Sequence, residues 1–267
     1  MKNDLLTIGS FTIHGYGLMI GIGILAAYGT AVYRARRKGL DADALDGIAV
    51  WGVVAGLLGA KLLYYITSIP YILEDPSILL NVADGFVVYG GIIGGIFGGY
   101  CYTKRRKLNF VKYVDLVLPS VALAQGFGRI GCLLAGCCYG RETESAFHII
   151  FRESQFAPNN VALIPTQILS SALNFAHFAV LVLVDRKVKK DGVVASLYLI
   201  FYSVGRFILE FFRGDLVRGS VGALSTSQFI SLFIFAIGLF CLIWSLKKED
   251  VQKGNLQEND VQSHSAE

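Results

Sequence analysis

Seven stretches of about 20 mostly apolar residues, each closed by a charged or turn-forming segment, constrain this chain more than any other feature. They lie at 15–33, 46–66, 86–103, 111–128, 165–184, 192–211 and 227–246. Such a stretch, at about 1.5 Å rise per residue, matches the hydrocarbon thickness of a bilayer. The pattern predicts an all-α integral membrane protein with seven transmembrane helices. Composition agrees: 54% of the 267 residues are hydrophobic and 16% charged, against about 25% charged in ordinary soluble domains. Mean hydropathy is +0.55. Thirty glycines against five prolines suit closely packed membrane helices. The first 14 residues are too polar for a removable signal peptide. One domain is expected over 1–246, followed by a polar, disordered tail at 247–267.

Charge sidedness sets the orientation. Cytoplasmic loops are enriched in Lys and Arg. The loop after the first span holds Arg34, Arg36, Arg37 and Lys38, and the loop after the third holds Lys104, Arg105, Arg106 and Lys107. The loop after the fifth holds Arg186, Lys187, Lys189 and Lys190, and the tail adds Lys247, Lys248 and Lys253. Fifteen of the 24 cations thus share one face. The N-terminus is therefore expected outside and the C-terminus in the cytoplasm. The net charge of +4 is first a topology signal and requires no nucleic-acid partner.

With the orientation set, polar residues from five spans fall at one depth near the outer leaflet. They are His14 and Tyr16, Lys61, Tyr89, Arg129, and the group Arg206, Glu210 and Arg213. Lys61 sits about five residues, or ~8 Å, below the outer surface. Each residue also has a structural explanation. Arg206 and Glu210, at i and i+4, can neutralise each other. Arg213 and Lys61 can snorkel, and Tyr16, Tyr64, Tyr65 and Tyr89 suit an interfacial belt. As a set they point further, because ionisable groups in a membrane mark substrate or ion paths. The excess of cations suits an anionic partner such as a lipid phosphate.

The segment 128–140, GRIGCLLAGCCYG, is the densest motif. Gly128, Gly131, Gly136 and Gly140 allow a tight head loop over about 129–164 whose amides can approach a phosphate. Cys132, Cys137 and Cys138 have the spacing C-x4-C-C, which matches no common zinc pattern. A disulfide among the three has three possible pairings. Cys101 and Cys241 lie within apolar spans and read as packing residues.

This segment resembles the signature G-R-x-G-N-F-x-N-x-E-x-x-G of the prolipoprotein diacylglyceryl transferase family. Gly128, Arg129, Gly131 and Gly140 match at the right spacing. Tyr16-Gly17 is similar to the family's Tyr-Gly in the first span, and VYGGIIGG (88–95) to its HGG-containing third span. The run from Tyr202 to Arg213 is similar to R-F-x-x-E-[FY]-x-R. The likeness covers nearly all of 10–246 and implies seven spans with the N-terminus outside. Cys132, Leu133, Ala135 and Cys137 stand where the signature has Asn, Phe, Asn and Glu, and Tyr89 replaces the His of HGG. These departures fall on positions that activate the thiol or position the loop.

The resemblance implies transfer of a diacylglyceryl group from phosphatidylglycerol to the lipobox cysteine of a preprolipoprotein, releasing glycerol 1-phosphate. It implies a multi-pass protein of the bacterial cytoplasmic membrane with its site toward the outer leaflet. Arg129 and Arg206 would clamp the phosphate, with Glu210 orienting Arg206. Tyr16, Lys61, Arg213 and the glycines 128, 131 and 140 would bind substrate. A phenol ionises near ~10, so Tyr89 suits hydrogen bonding better than proton abstraction. No cofactor or metal is expected. The alternatives are a paralogous lipid-headgroup transferase with another acceptor or donor, and a seven-span receptor or transporter. A retinal protein needs a lysine inside the last span, and 227–246 has none.

Overall fold

The computed structural model describes residues 4–8, 11–81, 84–215, 219–222 and 224–264. A hairpin of β1 (Asp4–Ile8) and β2 (Phe11–His14) leads into α1 (Gly15–Arg37) and α2 (Ala44–Thr67). Next come the short α3 (Ile69–Glu74), a 3-10 turn (Pro76–Leu80), α4 (Val88–Arg105) and α5 (Phe110–Ala135). Two-residue strands β3 (Ile149–Ile150) and β4 (Ala162–Leu163) pair in the head loop before α6 (Thr166–Lys187) and α7 (Val193–Glu210). A second small pair, β5 (Ser220–Val221) and β6 (Leu224–Ser225), precedes α8 (Thr226–His264).

A helix forms at each of the seven apolar stretches, and among the described residues six are long and apolar enough to cross a membrane. These are α1, α2, α5, α6, α7 and the Thr226–Lys247 part of α8. The remaining helix, α4, has 18 residues, of which six are glycine, and it ends on Lys104 and Arg105. Glycine and the terminal cations dilute its hydropathy. Many apolar side chains of these helices face outward: Leu57 and Leu58 of α2 are 57% and 67% exposed. Such surfaces suit lipid contact. Beyond Lys247, α8 continues helical to His264. Extending a formed helix costs less than nucleating one.

The chain divides into two units whose boundaries fall inside α1 and α5. Residues 32–113 form one. In it, Gly59 of α2 and Gly90 and Gly94 of α4 let the two backbones pack so closely that a Cβ at any of the three would collide with a facing carbonyl. Small residues serve this purpose in membrane helices, where lipid tails leave no hydrophobic driving force between them.

The other unit comprises 1–31 and 114–267 and holds the signature segment. Ala122 of α5, Leu181 of α6, and Val194 and Tyr198 of α7 form its buried centre. Asp115 of α5 accepts from the Gly192 and Ala195 amides at 2.6 and 2.7 Å, satisfying orphan donors at the start of α7. The head loop has a core of its own, with Phe151, Ala157 and Leu163 buried against Leu133 and Tyr139.

Candidate active site

The fourth apolar stretch outruns its expected end. Where 111–128 was expected to close the span, α5 continues to Ala135. Gly128, Arg129, Gly131 and Cys132 therefore stand on its last two turns, and the head loop begins later than the sequence suggests. Gly136, at φ +77°, ends the helix, and its amide bonds back to the carbonyls of Cys132 and Leu133 at 2.9 and 3.2 Å. A left-handed glycine is the usual helix stop. Helical placement aims Arg129 off a rigid rod rather than off a loop.

Arg129, Arg206 and Arg213 line one cavity of about 270 Å³. Leu173, Val180, Phe201 and Leu209 form part of its apolar wall. Two of the guanidiniums are held by carboxylates. Arg206 Nη1 lies 2.6 Å from Glu210 Oε2, and its Nη2 donates to Ser227 Oγ at 2.7 Å. Arg213 is buried and bidentate on Asp215, with Nε and Nη2 donating at 2.8 and 2.6 Å. Burial alone would lower the Arg213 guanidinium, but its bonds to Asp215 and Cys138 raise it above its ordinary value. Among the described residues, no hydrogen bond or ion pair is made by Arg129. Three guanidiniums against two carboxylates leave one positive charge in excess. An apolar wall beside that charge fits a lipid carrying a single anionic phosphodiester.

The signature segment is sewn to the end of α7. Gly140 and Arg213 form an antiparallel bridge, Arg141 N donates to Phe212 O at 2.9 Å, and Gly214 N to Tyr139 O at 3.1 Å. A Cβ on Gly140 would meet the Ile164 carbonyl. A Cβ on Gly131 would lie 3.2 Å from the Tyr16 ring, so Gly131 lets α5 approach the start of α1. Gly128 has open space around it. Tyr16 is 41% exposed.

The three cysteines of the segment converge. Cys132, Cys137 and Cys138 bring their Sγ atoms within 4.8 Å of one another, all half-buried and none in a disulfide. The C-x4-C-C spacing does not reveal this convergence, because a helix end lies inside it. The turn at Gly136 folds Cys137 and Cys138 back on Cys132. Bonds from the Cys132 and Cys137 thiols, with the Arg213 guanidinium, push the Cys138 thiol down, and the same sharing pushes Cys137 up. Thr166 and Gln167, both buried, donate to the carbonyls of Cys138 and Cys137 at 3.0 Å each. Cys138 itself has φ +60°.

Of the residues singled out from sequence, Tyr16, Gly128, Arg129, Gly131, Gly140, Arg206, Glu210 and Arg213 lie in this unit. Tyr89 and Lys61 belong to residues 32–113. There Tyr89 stands on the first turn of α4, 51% exposed. Lys61 Nζ donates to the carbonyls of Asn81 and Asp84 at 2.6 Å each, among the rings of Tyr64, Tyr65 and Phe86. Its ammonium is thus held by carbonyls and rings of its own unit. Sequence reasoning missed Asp215, Ser227 and His177. His177 lines the cavity, stacks on Tyr198 at 5.1 Å, and has no hydrogen-bond partner for Nε2 among the described residues. An isolated histidine inside an apolar span was the signal that marked it.

The family model described as prolipoprotein diacylglyceryl transferase matches residues 3–244. A phosphatidylglycerol–prolipoprotein diacylglyceryl transferase of Clostridium tetani is 50% identical over 240 residues, covering 90% of this chain and 96% of that protein. One of Clostridium perfringens, numbered 2, is 47% identical over 249 residues, covering 93% and 96%. One of Clostridioides difficile is 31% identical over 259 residues, covering 97% and 100%.

Proposed function

The chain belongs to the prolipoprotein diacylglyceryl transferase family, and on that premise we propose that it moves diacylglyceryl from phosphatidylglycerol to the lipobox cysteine of preprolipoproteins. The observation that carries this reading is the cavity in which Arg129, Arg206 and Arg213 meet beside an apolar wall. The headgroup phosphodiester enters with one negative charge and pairs with the one surplus cation. The acceptor sulfur attacks the glyceryl carbon, the carbon–oxygen bond breaks, and glycerol 1-phosphate leaves with a second negative charge. Charge grows at the leaving phosphate, so fixed guanidiniums bind the transition state more tightly than the ground state. Glu210 and Asp215 hold Arg206 and Arg213 in place, and Arg129 is left to the substrate. Tyr16 positions the headgroup, and Gly131 and Gly140 shape the approach.

The proposed arrangement has seven spans, with the N-terminus outside, residues 247–267 in the cytoplasm, and the site toward the outer leaflet. The sidedness of the 15 loop and tail cations supports it. Reconstitution with phosphatidylglycerol and a lipobox peptide tests the reaction. The peptide cysteine should gain the mass of one diacylglyceryl group. No gain, with a known family enzyme active alongside, overturns the reading. Complementation of a strain lacking the family enzyme separates it from a transferase with another acceptor or donor.

A further inference from the structure

We infer that Cys132, Cys137 and Cys138 hold one zinc ion whose fourth position takes the acceptor thiol. The inference rests on the transfer reaction proposed above and supplies the component it lacks, a means of presenting sulfur as thiolate. Thiolate zinc ligands at about 2.3 Å in a tetrahedron lie ~3.8 Å from one another. Three Sγ atoms within 4.8 Å need only a small contraction to meet that geometry. Three protein ligands with one open position is the arrangement of reactive rather than structural zinc.

The surroundings are built for a ligand set. Gly136 stops α5 so that Cys137 and Cys138 turn back on Cys132. The buried Thr166 and Gln167 pin the carbonyls of Cys138 and Cys137, fixing the direction of the two thiols. Ligand carriers are commonly oriented in this way by outer contacts. Zinc with three thiolates carries one negative charge, and the Arg213 guanidinium that bonds to Cys138 lies beside it. A disulfide would use two of the sulfurs and leave the third with no role.

The step balances. The peptide thiol displaces water from the fourth position and its proton passes to solvent, because a coordinating thiol is deprotonated outright. The sulfur lone pair then forms the bond to the glyceryl carbon. The carbon–oxygen electron pair leaves on glycerol 1-phosphate. The product thioether is neutral and a poorer ligand, so water returns. No electron is gained or lost, and no reactant beyond the peptide and phosphatidylglycerol is needed.

The test uses the full chain purified in detergent and loaded with Zn²⁺ or Co²⁺. One ion per chain should be retained, and the cobalt form should show thiolate charge-transfer bands with the visible bands of a tetrahedral ion. Adding a lipobox peptide should shift those bands, and the same peptide with serine for cysteine should not. Removing the metal with phenanthroline should lower transfer about a hundredfold, the scale of losing thiol activation, with recovery on adding Zn²⁺. Cys137→Ser should lose the ion. If that variant does not fold, the chelation result on the unaltered chain stands in its place. A metal-free chain that transfers at full rate overturns the inference and leaves the transferase reading intact. So does a cobalt spectrum indifferent to the peptide thiol, or a disulfide among the three cysteines. A chain that binds zinc and takes up the peptide thiol but transfers nothing counts against the transferase reading alone.

Discussion

Arg213 meets Asp215 across two hydrogen bonds of 2.8 and 2.6 Å, two residues away in the chain and just beyond the end of α7. The carboxylate holds the buried guanidinium in one orientation, while the backbone of Arg213 bridges to Gly140 of the signature segment. One residue thus joins the end of α7 to the loop that carries the cysteines. Asp215→Asn removes the charge from a charge-assisted pair and should cost about 2 kcal/mol. Transfer should fall by at least tenfold, about 1.4 kcal/mol, with the melting temperature in detergent lowered as well. An unchanged rate would show that Arg213 orients without its partner.

Arg129 lines the cavity and makes no ion pair among the described residues, and the proposed mechanism gives it to the substrate phosphate. Arg129→Ala should lower the transfer rate by about 10²–10³, the usual loss on deleting one donor to a developing anion. Arg129→Lys should recover only part of that, because a point charge replaces a two-pronged fork. Both variants should reach the membrane in normal amount. Full activity in Arg129→Ala removes the phosphate clamp from the mechanism.

Glu210 either orients Arg206 or simply neutralises it, and kinetics separate the two. Glu210→Gln keeps the shape and raises the cavity's surplus charge from one to two. If orientation matters, kcat should drop about tenfold, while KM for phosphatidylglycerol stays level or falls. A rate unchanged at saturating lipid assigns Glu210 to charge balance alone.

Two glycines of the same motif should respond in opposite ways. Gly140→Ala drives a Cβ into the Ile164 carbonyl and should open the bridge to Arg213, exposing the head loop to protease and abolishing transfer. Gly128→Ala meets open space on a helix, where alanine is favoured over glycine by about 1 kcal/mol. It should keep both stability and activity. A loss of activity in Gly128→Ala, with stability kept, would indicate that substrate passes against this face of α5.

The sequence by itself determined the membrane class and the helices, and it singled out Arg129, Arg206 and Arg213 among the cations. These follow from one-dimensional quantities: the length of an apolar run, the placement of Lys and Arg in loops, and the i, i+4 spacing that joins Arg206 to Glu210. Tertiary structure decided what those cations do. Arg206, Arg213 and Arg129 look alike along the chain, yet among the described residues two are held by carboxylates and the third makes no ion pair. That difference depends on Asp215, on the loop that follows α7, and on which groups share a cavity. Likewise C-x4-C-C reads as an unlikely ligand spacing along the chain. The left-handed turn at Gly136 folds two of its cysteines onto the end of α5 and makes one cluster of three. Periodicity and charge are local and can be read along a chain. The meeting of side chains from a helix end, a turn and a neighbouring helix is set by packing, and packing exists only in three dimensions.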